Sequence, residues 1–367
     1  MEIPLKQFAE LQDPRLARTR RHLLGDIVLL AIAAILSGAE GWDDMERYGK
    51  AKRDCLKSFL ALPFGIPSHD TFNRVFQVLE PAELKKQFLD WVSVIARRTQ
   101  GEVVAIDGKS LRGTGSSDSK SLVHMVSAWA SANNMVLDQR KTDAKSNEIE
   151  AIPELLRVLE LSGTTVTIDA MGCQKNIAAQ IVEQQADYIL AVKENQPWLL
   201  ADIKDSFQML EPASVNEQID CGHGRVETRR GAVVTDLSLL DNTQNCVGLR
   251  SIIRIQAKRH HKASGKQERE TRDYISSLQP DAARLNTAIR QHWGIENKLH
   301  WVLDVAFGED ARRKRAANAA QNFSLLNRIA WNLIRKDKST KGSVRAKRLQ
   351  TAWDYTFLWQ LMVERKA

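Results

Sequence analysis

Three carboxylates of this 367-residue chain stand where a cation could use them. Asp107 ends the run VVAID, Asp169 ends TTVTID, and Glu296 lies in IRQHWGIENKLHWVLDVAFGED. The first two runs are apolar and β-branched, as a buried strand requires, and the third has helical periodicity. Hard divalent cations take oxygen ligands. Two of them together can hold the attacking and the leaving oxygen of an in-line displacement. Two strand-end aspartates and a helical glutamate therefore suit metal-assisted phosphoryl transfer. Around Glu296, the residues His292, His300 and Asp304 recur at four-residue spacing and share its helix face. Ile295, Leu299, Val302 and Ala306 form the apolar stripe expected to pack that helix down.

A sheet is needed to bring these groups together. VVAID, LVHMVSAWA (122–130) and MVLDQRKT (135–142) read as three strands, the last two turned at Asn133-Asn134. SNEIEAIPELLRVLEL reads as a helix capped by Ser146 or Asn147, with acids in its first turn. Strand TTVTID, helix KNIAAQIVEQ and strand ADYILAVK follow. The order β-β-β-α-β-α-β predicts an α/β fold, an RNase H-like mixed sheet with helices on both faces. No GxGxxG follows a strand, so a doubly wound dinucleotide fold is excluded.

The expected division has four parts. Residues 1–98 form a small helical N-terminal domain with possible DNA contact. Residues 99–205 form the first part of the core. A β-strand insertion occupies 206–281, where GRVETRRGAVVT, VGLRSIIRIQAKR and RETRDYISSL are strand-like and KRHHKASGK reads as a hairpin tip. Residues 282–367 hold the Glu-bearing helix and basic C-terminal helices. In the first part, DPRLARTRRHLLGDIVLLAIAAIL and EGWDDMERYGKAKRDCLKSFL have helical periodicity. Ser68 caps a helix with the stripe Phe72, Val75, Phe76 and Leu79, and Pro81 opens another through Phe88, Trp91 and Val94. The outline is that of a helix-turn-helix, which any small helical bundle shares.

Composition is that of a soluble globular protein, 43% hydrophobic and 27% charged. Ile27–Leu36 holds ten unbroken apolar residues, too few to span a bilayer, so a buried helix and no membrane are expected. Four scattered cysteines without a CxxC pair point to a reducing, cytoplasmic setting. Cys173, Cys221 and His223 lack the second close pair a zinc site needs. The net charge is +8, yet residues 310–367 hold 14 Lys and Arg against 4 Asp and Glu. Such asymmetry points to a polyanion, most simply nucleic acid. Arg312, Arg313, Lys314 and Arg315 are candidate phosphate contacts. So are Lys109 and Arg112 after the first aspartate, Lys193 and Asn195 after the fifth strand, and Arg225, Arg229 and Arg230 with His223 in GHGRVETRR. His124 reads as a satisfied core histidine, and Trp293 and Trp301 as core anchors.

Taken in order, AIDGKSLRGT, SAWA, KSNEIEAIPELL, TIDAMGCQKNIA, ADYILAVKENQP, GHGRVETRR and RQHWGIENKLHWVLDVAFGED resemble the H-repeat-associated proteins of Rhs elements and their insertion-sequence transposase relatives. The resemblance spans essentially the whole chain. It implies a DDE transposase with an RNase H-like core and a β-strand insertion, in which Asp107, Asp169 and Glu296 are the triad and bind two Mg²⁺ or Mn²⁺ ions. It further implies cleavage at element ends and strand transfer into target DNA. Double-stranded DNA would be the partner, a homodimer or larger assembly the synaptic form, and the nucleoid of a bacterial cytoplasm the location. A metal-dependent nuclease without joining activity, or a domesticated DNA-binding protein, would use the same fold. One departure stands out. Many such enzymes carry Y-x2-R-x3-E-x6-K around the glutamate, whereas those places here hold Ile289, His292 and Leu303. The end contacts assigned to that Tyr, Arg and Lys do not carry over, although Arg290, Lys298 and His300 stand nearby.

If the RRKR run grips phosphates, replacing Arg312, Arg313, Lys314 and Arg315 by Gln should weaken binding to all duplexes alike. The log K against log salt slope should flatten by roughly 2–4 units. Salt titration of binding measures this, and an unchanged slope would reduce the run to a solvated face.

Overall fold

A computed structural model describes residues 6–95, 101–115, 122–142, 148–222, 224–241, 246–311 and 313–363. Ser146, Asn147, His223 and Arg312, singled out above, lie outside the described residues. The chain opens with α1 (Lys6–Ala9), α2 (Leu24–Leu36), α3 (Trp42–Ala51), α4 (Arg53–Leu56), α5 (His69–Val78) and α6 (Pro81–Ile95). Every residue from Ile27 to Leu36 is buried, as a helix apolar on all sides must be. The preceding arginine-rich stretch forms no α-helix, only a short 3-10 turn over Ala17–Thr19. Arg15 bonds Asp13 and the His22 carbonyl and closes it as a loop. Ser68 caps α5 by accepting from the Thr71 amide, and Phe72, Val75, Phe76 and Leu79 are all buried. Among the described residues no helix is long and apolar enough to cross a membrane.

The core sheet follows. β1 (Val103–Leu111), β2 (Val123–Ala130) and β3 (Met135–Thr142) form an antiparallel meander. Asn134 takes φ 53 in the β2–β3 turn, a left-handed conformation that Asn tolerates. Helix α7 (Glu148–Val158), β4 (Thr165–Ile168), α8 (Lys175–Glu183) and β5 (Asp187–Val192) then add two parallel strands beside β1. This is the RNase H-like arrangement the strand order predicts. After α9 (Pro197–Met209), the inserted strands β6 (Ser214–Gly222), β7 (Arg225–Val234), β8 (Ser251–His261) and β9 (Gln267–Ser276) join the same sheet. Its order is β3-β2-β1-β4-β5-β9-β8-β7-β6, with β9 antiparallel to β5. The polar, mostly exposed β6 escapes a sequence reading because an edge strand buries too little to show a pattern.

The C-terminal part begins with α10 (Ala282–His292). One uninterrupted α-helix is expected through Glu296. Instead the chain makes a π-helical turn over Ile295–His300, then α11 (Trp301–Phe307). The buried stripe is therefore Ile295, Leu299, Leu303 and Phe307, while Val302 and Ala306 are only half-buried. Trp301 is not a core anchor, being 60% exposed. Helices α12 (Ala319–Lys336), α13 (Val344–Trp353) and α14 (Tyr355–Met362) complete the chain.

Helix α12 lies against α2, α5, α6 and β3. Its Asn322 donates to the Phe76 and Leu79 carbonyls at the end of α5. Its Asn332 exchanges two hydrogen bonds with Val136 and covers the β3 edge. The C-terminal basic surplus is thus partly internal. Arg328 is 0% exposed, Lys347 bonds Asp337, and buried Arg348 donates to the carbonyls of Ile35, Ala39 and Ala306. Such carbonyls are left without partners where helices end. Arg348→Met would remove the shared donor from all three, leaving Ile35 only its bond from the Gly38 amide, and should cost roughly 2–4 kcal/mol in urea unfolding. A change within error would mean that water already serves these carbonyls.

Candidate active site

Parallel pairing of β1 and β4 matches Ile106 with Ile168. The residue after each is an aspartate, Asp107 in mid-strand rather than at the expected strand end and Asp169 just past β4, and both line one cavity. Chain connections leave β1 and β4 in opposite directions, and a crevice opens at such a switch point. A cavity of about 100 Å³ lies there, lined by Asp107, Asp169 and Glu296, with Lys193, Arg272 and His292 also on its wall. Gly108 follows Asp107 because a Cβ there would run into the Glu148 carboxylate and the His124 ring.

The three carboxylates differ electrostatically. Burial favours the neutral form of Asp107. That is outweighed by the hydrogen bond and charge of His300, the charge of His292 and the Gly108 amide, which hold it below the usual range. Asp169 is pushed up to about 6 by burial, then by the charges of Glu148 and Asp107. Glu296, on the exposed rim, is raised by partial burial and by Asp107. The charge of Asp107 thus acts on both partners.

Two supporting groups were not legible as site residues. Glu148, the first described residue of α7, is buried and bonds His124 Nε2 at 2.6 Å, while His124 Nδ1 meets Ser110 Oγ at 2.9 Å. This confirms His124 as a satisfied core histidine and adds a fourth carboxylate whose charge reaches Asp169. The acids in the helix's first turn were the available signal. Arg272 comes from inserted β9 and stacks on Trp293, its Cζ 4.0 Å from the ring centroid. Only the pairing of β9 with β5 puts it there, and sequence spacing carries no trace of that.

Several expected DNA contacts are engaged inside the protein. Lys109 is buried, bonds Asp304 and forms an ion pair with Asp310 at 3.3 Å, so it is not a free phosphate contact. Arg112 is 83% exposed and leans toward Asp310. Asn195 donates to the Ala170 carbonyl at 2.7 Å. His292 Nδ1 meets Thr167 Oγ1 at 2.9 Å, and burial lowers its pKa. His300 Nδ1 lies 3.4 Å from Asp107 Oδ2, behind the carboxylate rather than facing a ligand. Lys314 sits over the Phe323 ring at 3.7 Å and donates to Glu40, fastening two helical segments. Arg313, Arg315, Lys193 and Arg225 are exposed. Ile289 and Leu303 are buried, so neither place of the missing Tyr and Lys can reach a ligand.

Beside the triad cavity lies a larger cleft of about 590 Å³, lined by Arg225, Arg229, Arg259, Arg272, Arg290 and Lys298 against Glu227 and Glu296. Arg272, Trp293 and Glu296 belong to both cavities. Glu227 pairs with Arg259 and Arg290, which leaves a cationic surplus on the wall.

All three donors are hard oxygens, a set that fits Mg²⁺ or Mn²⁺. Among the described residues no three His, Cys, Asp or Glu side chains converge on one ion. What the structure shows is Asp107 next to Asp169 and electrostatically coupled to Glu296, an arrangement of pairs.

The sequence matches two family models, one described as "DDE_Tnp_1-associated" over residues 5–92 and one as "Transposase DDE domain" over residues 98–333. It is 40% identical to the "H repeat-associated putative transposase YhhI" of Escherichia coli (strain K12), with 96% of each chain covered. It is 38% identical to the "Putative transposase YncI" of Escherichia coli O157:H7, covering 98% of this chain and 94% of that one. A solved structure, "Cryo-EM structure of piggyBac transposase synaptic complex with hairpin DNA (SNHP)", aligns at a TM-score of 0.47 and 12% identity, over 98% of this chain and 76% of that one.

The raised pKa of Asp169 has a measurable consequence. Its folded carboxyl binds a proton more tightly than the unfolded one, so its ionisation opposes folding. That cost is complete above the folded value of about 6 and fades as the pH falls toward about 4. Asp169→Asn should therefore stabilise the metal-free protein by roughly 1–2 kcal/mol near neutral pH. The gain should shrink on acidification, as thermal melts in a chelator would show. Equal melting temperatures throughout would mean that Asp169 is not crowded by like charge.

Proposed function

Because the chain belongs to the DDE transposase family, we propose that Asp107, Asp169 and Glu296 are its catalytic triad and that it cuts and joins DNA at the ends of a mobile element. The pairing register that sets Asp107 beside Asp169, in one cavity with Glu296, carries this reading. In it the three carboxylates hold one or two Mg²⁺ or Mn²⁺ ions, which supply the positive charge that attacking and leaving oxygens need. Asp107 is shared between both pairs, and the His300 hydrogen bond favours its ionised form. Lys193 and Arg272 stand on the cavity wall where a phosphate would enter. The arginine-lined cleft supports a path for one DNA strand away from Glu296, with Trp293 as an apolar face along it. Little covalent chemistry is asked of the side chains, so orientation and charge neutralisation dominate. Water at the open side would nick an end, and a 3′-hydroxyl there would join it. Duplex ends and target are then the partners, and bringing two ends together requires at least two copies of the chain.

The test combines protein, Mn²⁺, labelled element ends and a plasmid target. Nicked ends and joined products are expected. Asp107→Asn, Asp169→Asn and Glu296→Gln should each abolish both while leaving DNA binding intact. A double variant should cost little more than a single one, since such residues act as a unit. Nicking without joining would point to the nuclease reading instead. Full Mg²⁺-dependent cleavage by any single variant would remove that residue from the triad.

A further inference from the structure

Glu296 reaches the two aspartates from a distant part of the chain, so its distance from them must be set by something other than the sheet. We infer that Lys109 is a positioning residue for the reaction, fastening the arm that carries Glu296 onto β1 and thereby holding Glu296 against Asp107. This rests on reading Asp107, Asp169 and Glu296 as the cation-binding triad.

Lys109 lies two residues beyond Asp107 on a regularly paired strand, so both side chains leave the same sheet face. Its side chain is 8% exposed, and its ammonium bonds Asp304 and lies 3.3 Å from Asp310 Oδ1. Asp304 belongs to α11, which continues directly from the π-helical turn bearing Glu296. The far end of the arm is held separately. Gly308, at φ 62, ends α11, buried Glu309 pairs with Arg328, and Arg348 donates to the Ala306 carbonyl. These ties fix the arm to the helical layer, whereas Lys109 fixes it to the strand that supplies Asp107. A π-helical turn carries an i→i+5 bond pattern, which is rare and frequent at functional sites. A buried ion pair adds little net stability over an apolar pair, so its contribution here is orientation. An error of about 1 Å in such a site can cost roughly a hundredfold in rate.

Calorimetric Mn²⁺ binding to the purified full-length chain tests this apart from activity. Lys109→Met keeps the stem and removes the charge. By Coulomb attraction alone, deleting a cation near three carboxylates would tighten Mn²⁺ binding. If Lys109 positions Glu296, affinity should instead fall by roughly tenfold, the size typical of residues that orient metal ligands. Lys109→Arg, which keeps the ion pair, should retain most of it. Unchanged or tighter binding in Lys109→Met, with Asp107→Asn losing it, would overturn the positioning role and leave the triad standing. Wild-type Mn²⁺ affinity in Asp107→Asn would overturn the triad reading itself. Should Lys109→Met fail to fold, Lys109→Gln, which keeps at most a neutral hydrogen bond to Asp304, should still bind Mn²⁺ more weakly than wild type, and equal or tighter binding there would overturn the role. A flatter salt slope of duplex binding in Lys109→Met without metal would mean that Lys109 reaches phosphate, and would also overturn the inference.

Discussion

Two carboxylates at neighbouring parallel strands, largely withdrawn from water and facing one cavity, cannot both ionise freely. Much of the surrounding architecture answers that constraint. Gly108 gives its amide to Asp107 and leaves room for Glu148, and His300 and His292 face Asp107 from the C-terminal arm. Lys193 and Arg272 close the cavity from the opposite strands. The result is lopsided, with Asp107 readily ionised and Asp169 reluctant. Under the proposed reading, a divalent cation would relieve that reluctance by supplying the opposing charge.

The second support is mechanical. Inserted strands β6 to β9 are hydrogen-bonded into the core sheet rather than tethered beside it. The cleft between them and Glu296 therefore has walls belonging to one continuous sheet and to α10 packed on it. On the far side, helices from both ends of the chain share a single apolar cluster that runs from Phe8 to Met362. Arg328, Lys347 and Arg348, which look like a nucleic-acid grip in the sequence, close this layer from within.

What was legible in the sequence followed from strong local signals. β-Branched runs ending in Asp, the Asn133-Asn134 turn, the Ser68 cap and the all-apolar α2 each specify their own conformation, and the strand order specifies the sheet. Non-local facts were hidden. Nothing near Lys109 announces that Asp304 and Asp310 will neutralise it, and nothing near Arg272 announces that β9 will pair with β5. The π-helical turn was missed because its sequence fits an α-helix equally well, and only packing of Ile295, Leu299, Leu303 and Phe307 reveals the altered register. Charge counting overstated the exposed surplus at the C-terminus, because a count cannot tell a surface arginine such as Arg313 from a buried one such as Arg348.

The pairing of α2 with α12 also has a consequence in time. Helix α2 is apolar on every side and is among the first elements made, whereas α12 lies beyond the whole catalytic sheet. At a synthesis rate of roughly 5–20 residues per second, on the order of tens of seconds pass before its partner exists. Throughout that interval only the neighbouring helices α1 and α3 can cover α2, and the face that α12 will occupy stays open. Transiently open apolar surface of this kind is what makes a partly made chain prone to misassociation.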